Sequence, residues 1–208
     1  MNTMPGAMSA MDEPAAVDEA LLTVLGRDLR RYREFHQRAG VESRPWRVAF
    51  ESFVFKAGFQ AVVLYRISQR LQAAGLTWLA WCVARANLTL TGADIEFSAH
   101  IGPGLLIAHP VGVVIGRGTV IGADATVFQG VTCGVRSWEG AGHAYPCLGD
   151  RVVLFARCSV LGGIRIGHRA VIGAHALVVR DVPDDGRAQG AAATIRDAAV
   201  GEPCQETW

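Results

Sequence analysis

From Leu148 onward every sixth residue is aliphatic: Leu148, Leu154, Val160, Ile166, Ile172 and Val178. A helix requires apolar recurrence near 3.6 residues and an ordinary half-buried strand requires 2, so a strict six held over so long a span fits neither. The upstream half repeats the interval with Ile95, Ile101, Ile107 and Val113, then with Ile115, Ile121 and Val127 in a phase displaced by two. Glycine often follows the aliphatic residue or lies three further on, as in Leu148-Gly149, Gly163, Ile166-Gly167 and Ile172-Gly173, where short strands must turn sharply. The pattern predicts a solenoid of short parallel strands, three to a coil of about eighteen residues, with the aliphatic residues stacked inside. Composition agrees: 24 glycines against only 8 prolines signal regular turns rather than generic low complexity.

Ahead of residue 94 the period is helical. Val17 to Gln37 carries Leu21, Leu22, Val24, Leu25, Leu29 and Tyr32 as an apolar stripe against a basic face, and Gly40 and Pro45 interrupt it. Two further helices are predicted, Phe50 to about Ala73 and Leu76 to about Ala86, with Gly75 as the break. The organisation expected is a disordered leader over 1–16, an α-helical domain over 17–93, a solenoid over 94–195 interrupted by a loop at 134–147, and a tail over 196–208. Trp46, Trp78 and Trp81 are expected to pack and His36 to sit on a solvated face.

Charge and cysteine content narrow the function. The 208 residues suffice for one domain with a small appendage. With 20 Lys and Arg against 19 Asp and Glu, the net charge of +1 supplies no field to hold a polyanion, so nucleic acid is not an expected partner. The most apolar stretch, Gly75 to Ala84, is about half of the roughly 20 residues a membrane span needs, and Arg85 follows it. Residues 1–16 lack the basic start and apolar core of a signal peptide. Cys82, Cys133, Cys147, Cys158 and Cys204 form no C-x-x-C pair and are odd in number, which speaks against a disulfide framework and a zinc ribbon and for a reducing cytoplasm.

The residues also carry a resemblance. The block from Ile101 to Gly116, which includes Ile107-Ala-His-Pro-Val-Gly112, then Phe128-Gln-Gly-Val-Thr132, a looped excursion and Val160-Leu-Gly-Gly-Ile-Arg-Ile-Gly167, resembles the left-handed β-helix acyltransferases. Gly58-Phe-Gln-Ala61 and Tyr65-Arg-Ile67 resemble the segment that precedes the β-helix in the serine O-acetyltransferase branch. The resemblance implies an all-β left-handed parallel β-helix of hexapeptide repeats preceded by a small α-helical domain. It also implies an O-acetyltransferase using acetyl-CoA as co-substrate, with no metal. Acetyl transfer from a thioester to an alcohol needs a base, because a hydroxyl is a weak nucleophile whereas the thiolate leaves readily. The resemblance assigns that base to His109 and its hydrogen-bonding partner to Asp94, which would fix the tautomer and stabilise the imidazolium. Asp94 precedes His109 by fifteen residues, one coil back and three residues off the stack for a coil of about eighteen.

The loop and the acceptor contacts depart from that branch. Where the branch has Gly-Asp-Arg-His-Pro-Lys, this chain reads Gly142-His-Ala-Tyr-Pro-Cys147, so Tyr145 stands in place of the loop histidine. Tyr145 could donate to the oxyanion, His143 could swing in instead, or both could only cover the core. Ala108 replaces an aspartate before the catalytic histidine, and the helical Arg-Asp-Pro is absent, the nearest stretch being Arg33-Glu-Phe-His-Gln37. A zwitterionic acceptor needs charged partners, so the expectation is a small hydroxylated acceptor such as a sugar or serine-like metabolite. The alternatives are a genuine L-serine O-acetyltransferase of cysteine biosynthesis and a non-catalytic scaffold or regulatory subunit. The resemblance places coenzyme A in a slot between neighbouring subunits lined by Ala156, Gly173, Ala174 and Gly190; Arg187, Arg169 and Arg196 could meet its phosphates or stand as solvated edge residues. Phe155 and Gly190-Ala-Ala-Ala193 change the shape of that slot. His100, His109, His143, His168 and His175 lack the spacing of a zinc β-helix carbonic anhydrase. The assembly implied is a homotrimer with sites at its interfaces, which the helical domain could pair. A sulfhydrylase complex is not expected, since the chain ends Gln205-Glu-Thr-Trp208 where the branch has isoleucine.

Overall fold

The computed structural model describes residues 19–38, 56–137 and 144–190. Among the described residues three helices precede the solenoid: α1 (Leu21–Arg38), α2 (Ala57–Ala73) and α3 (Thr77–Thr91). In α1, Val24, Asp28 and Tyr32 recur at four-residue spacing and are buried against the solenoid. The expected start of the second helix at Phe50, like Trp46 and the leader, lies outside the described residues. Helix α3 runs beyond the expected Ala86 to Thr91, and Gly92 ends it in the left-handed region at φ 77°. Its last turn is polar in sequence yet satisfied internally. Asn87 Nδ2 donates to Ala61 O at 3.0 Å, and Thr91 Oγ1 donates to Asn87 O at 2.8 Å.

Two aromatic expectations are corrected. Trp78 and Trp81 do not pack inside; they are 67% and 51% exposed, because α3 turns its other face to α2 and the first coil. The rings of Trp81 and Phe97 meet in a T-shaped arrangement, with centroids 5.1 Å apart. His36 is half-buried and donates through Nδ1 to Tyr32 O at 2.7 Å rather than facing solvent freely.

Among the described residues fourteen strands of two or three residues follow in three parallel sheets. Sheet A holds β1 (Asp94–Ile95), β4 (Val114–Ile115), β7 (Thr132–Gly134), β10 (Ser159–Leu161) and β13 (Leu177–Val178). Sheet B holds β2 (His100–Ile101), β5 (Val120–Ile121), β8 (Cys147–Leu148) and β11 (Arg165–Ile166). Sheet C holds β3 (Leu106–Ile107), β6 (Thr126–Val127), β9 (Val153–Leu154), β12 (Val171–Ile172) and β14 (Arg187–Ala188). The six-residue column points inward as expected: Leu148, Leu154, Val160, Ile166, Ile172 and Val178 are all buried. Burying each such side chain contributes about 1.5–3 kcal/mol.

Coil length varies. Leu148 pairs with Ile166 eighteen residues on, as the repeat predicts. Ile95 pairs with Ile115 after twenty, and Ile121 with Leu148 after twenty-seven. The two extra residues of the first coil produce the phase displacement seen in the sequence, and the nine of the second form the loop.

The helices meet the first coil through polar groups. Buried Arg66 donates to Ile101 O and Gly102 O and forms a two-point ion pair with buried Asp28, at 3.1 and 3.2 Å. Asp28 Oδ1 in turn accepts the N–H groups of Gly104 and Leu105 at 2.7 and 2.8 Å. Tyr32 donates its hydroxyl to Ile107 O at 2.8 Å and accepts the Ile107 N–H at 3.0 Å, while Tyr65 donates to Ala99 O at 2.7 Å. Burial pushes both phenols far above their usual range. No described helix is long and apolar enough to cross a membrane.

Thiol accessibility gives a test of this packing. Cys82 is exposed, whereas Cys133 and Cys158 are buried; burial pushes the Cys133 thiol well up and that of Cys158 to about 12. A maleimide should therefore modify Cys82 quickly in the native protein and reach Cys133 and Cys158 only after denaturation. Mass-mapped labelling of either buried thiol under native conditions would contradict the stacked core.

Candidate active site

Of the residues singled out by sequence, His109, Ala156, Ala174 and Gly190 stand at one edge of sheet A and Tyr145 at the other. At the first edge, where sheet C passes into sheet A, the register runs Ile107, Val127, Leu154, Ile172, Ala188. Two residues beyond each stand His109, Gln129, Ala156, Ala174 and Gly190, so the expected base and three of the expected coenzyme positions share one edge. Gly173 adjoins Ala174 there, its N–H bonded to Ala188 O at 2.7 Å.

The hydrogen bonds locate the first coil's insertion. Gly130 N–H donates to Val111 O at 3.0 Å, as Arg157 N–H donates to Gln129 O and His175 N–H to Ala156 O one and two coils on. Val111 thus takes up the ladder, and His109-Pro110 is an extra pair set into this corner. The imidazole of His109 is exposed while Pro110 is buried. Gly112, at φ 73°, rejoins the coil and donates to Gly92 O at 2.9 Å, a conformation that favours glycine.

Asp94 lies beside this turn, although not by the route expected. The first coil is twenty residues long, so Asp94 stacks on Val114, five residues past His109, and its N–H donates to Val113 O at 2.8 Å. Its carboxylate faces outward from β1 and is exposed. No hydrogen bond joins it to His109 among the described residues.

Tyr145 occupies the opposite edge of sheet A. Its ring lies over Gly116 and Gly118, where an added Cβ would come within 2.7 and 2.5 Å of ring carbons. Only glycine allows that approach. Tyr145, Asp94, Glu96, Gly116 and Arg117 line one depression of about 580 Å³. His143 lies outside the described residues.

Other expected contacts are not brought in. Arg187 projects from β14 on the outer side of sheet C, exposed and off the His109 edge. Arg169 belongs to the corner between sheets B and C and is bound at two points, each 2.6 Å, to Asp185. Arg196 lies outside the described residues. A groove of about 860 Å³ runs along the outer side of sheet B past His100, Asp150 and Arg165, and it contains none of the residues of the two edges above. Among the described residues no three His, Cys, Asp or Glu side chains gather as a metal site.

Sequence reasoning did not single out Glu96, Arg117, Gln129 or the stack of Phe128 on Phe155, whose centroids are 5.2 Å apart at the His109 edge. The alternation Asp94-Ile95-Glu96 was the available signal for Glu96, since residues two apart in a strand share a face.

No family profile matches the sequence. Individual relatives do. The chain is 38% identical over 144 residues to a serine acetyltransferase of Helicobacter pylori, covering 69% of this chain and 84% of that protein. It is 38% identical over 163 residues to one of Mycobacterium tuberculosis, covering 78% and 68%. The crystal structure of Neisseria gonorrhoeae serine acetyltransferase in complex with serine matches with a TM-score of 0.72 at 31% identity, over 85% of this chain and 69% of that one. Soybean serine acetyltransferase apoenzyme matches at 0.74 and 31%, over 84% and 68%. The chain belongs to the serine O-acetyltransferase family.

As a serine O-acetyltransferase family member it is an acyltransferase with acetyl-CoA as co-substrate, and its three-sheet solenoid is the left-handed β-helix of hexapeptide-repeat enzymes. Membership favours the serine acetyltransferase alternative over the sugar acceptor. It lends no support to excluding a sulfhydrylase partner, and residues 205–208, the basis of that expectation, lie outside the described residues.

Proposed function

We propose that this protein acetylates the hydroxyl of L-serine, with His109 as general base. The observation that carries the chemistry is the shared edge of His109, Ala156, Ala174 and Gly190, a strip running down the coils along which an extended coenzyme could lie with its thioester beside the imidazole. His109 takes the hydroxyl proton as the oxygen attacks the thioester carbonyl. Asp94 steadies the imidazolium, and the Tyr145 hydroxyl, from this subunit or a neighbour, donates to the oxyanion. Collapse of the tetrahedral intermediate breaks the C–S bond, and the proton returns to the coenzyme thiolate. The products are O-acetylserine and coenzyme A.

Support for L-serine comes from the relatives named above, one of which has been solved with serine. A homotrimer fits the exposed apolar side chains on the outer face of sheet A, Val114 and Leu177 at 38% and 65% exposure, and it would bring the Tyr145 edge of one subunit toward the His109 edge of the next.

Coenzyme A release followed with a thiol reagent tests the acceptor. L-serine should give saturable turnover at least about tenfold above any hexose, disaccharide or other hydroxylated metabolite, the margin expected where polar groups of a site are matched to the substrate. Turnover with a sugar and none with L-serine would overturn the proposal. Coenzyme binding without turnover would make the chain a scaffold.

A further inference from the structure

An amino-acid acceptor arrives as a zwitterion, and closing a site around it requires a cation for its carboxylate and an anion for its ammonium. The positions that supply such charges in the family are neutral here: Ala108 precedes the base and Ala144 sits in the loop. The depression on sheet A contains another pair. Glu96 follows Asp94 by two residues on an extended strand, so both carboxylates are on one face, roughly 7 Å apart at Cα. Glu96 N–H donates to Ile115 O at 3.0 Å, which sets it above Gly116, where the Tyr145 ring packs into the space a side chain would take and forms one wall of the depression. Arg117 follows Gly116 at the start of the turn closed by Thr119 N–H to Gly116 O, and it is exposed at the rim. Glu96 Oε1 accepts only the Ser98 hydroxyl, at 3.3 Å, and among the described residues neither Glu96 nor Arg117 is in an ion pair. Glu96 and Arg117 therefore stand at the Tyr145 edge of sheet A, the edge that the homotrimer proposed above would bring toward the His109 edge of the next subunit.

We propose that Arg117 binds the α-carboxylate and Glu96 the α-ammonium of the acceptor, so that its hydroxyl points toward the His109 edge of the next subunit in the trimer; this assignment rests on the reading of the acceptor as L-serine. The two residues supply, from a different place in the chain, the charges that Ala108 and Ala144 cannot provide.

Steady-state kinetics with three acceptors test it: L-serine, L-serinamide, which lacks the carboxylate charge, and glycerate, which lacks the ammonium. Arg117→Met should raise KM for L-serine by about 10- to 100-fold, the worth of a charge-assisted hydrogen bond, and leave KM for acetyl-CoA within about twofold. Its preference for L-serine over L-serinamide should collapse, and Arg117→Lys should restore part of it, since an ammonium supplies the charge without the fork. Glu96→Gln should instead erase the preference for L-serine over glycerate. An unchanged KM and preference in a variant that melts like the wild type overturns the assignment while leaving the L-serine reading intact, as does an equal loss toward all three acceptors. Wild-type enzyme inactive on L-serine overturns the underlying reading and this assignment with it.

Discussion

Replacing His109 by alanine should lower kcat for acetyl transfer by roughly 10²- to 10⁴-fold, the usual contribution of a positioned general base, with little change in KM for acetyl-CoA. The side chain is exposed on a two-residue insertion that the ladder does not need, so its removal should leave the melting temperature within about 2 °C, as surface substitutions usually do. A loss of kcat without a loss of stability separates a chemical role from a structural one. Asp94→Asn should also lower kcat, by a smaller factor, because it weakens imidazolium stabilisation and leaves the base in place. If His109→Ala retained more than about a tenth of wild-type kcat, a loss smaller than the low end of that range, the base would have to be sought elsewhere, with His143 the next candidate.

The second large effect concerns stability. Asp28→Ala leaves the Arg66 guanidinium buried without its counter-charge and strips the acceptor from Gly104 and Leu105 N–H, so it should cost about 3–5 kcal/mol. Arg66→Met should cost a similar amount, since it strands the Asp28 carboxylate. The double variant Asp28→Leu with Arg66→Met should be more stable than the sum of the singles predicts, because neither charge is then left unpaired. Urea unfolding of the four proteins measures all three quantities. Single-variant losses below about 1 kcal/mol, the range of exposed ion pairs, would show that the pair is not held in the low-dielectric setting described. Activity should fall with stability, since the anchored residues Ile101 to Ile107 lead directly into the His109 turn.

The inward column was legible because a repeat places equivalent residues in equivalent surroundings: Leu148 through Val178 stack just as their spacing implies. The slip of two in the first coil was visible as a phase change, but its location was not. Nothing in the pattern distinguishes an extra pair at His109-Pro110 from one elsewhere between Ile107 and Ile115, and only the bond from Gly130 to Val111 resolves it. Trp78 and Trp81 misled because apolar character reports what a residue tolerates, while burial depends on which face its helix turns inward. The sequence offered no signal for the pairing of Asp28 with Arg66, since the two stand on different helices and their other partners are backbone groups on the far side of a linker. Glu96 and Arg117 were missed for a similar reason. They are twenty-one residues apart, and only a first coil of twenty residues brings them to one depression.

The polar groups on the helices have a consequence for self-association. A parallel solenoid ends in strands whose outermost N–H and C=O groups are a template for another chain. At the first coil Asp28, Tyr32, Tyr65 and Arg66 already engage the backbone of Ala99, Ile101, Gly102, Gly104, Leu105 and Ile107, imitating the coil that is not there. Head-to-tail stacking of solenoids into fibres is thereby blocked at that end, so one face of the molecule prevents polymerisation while the sides remain available for closed, symmetric assembly.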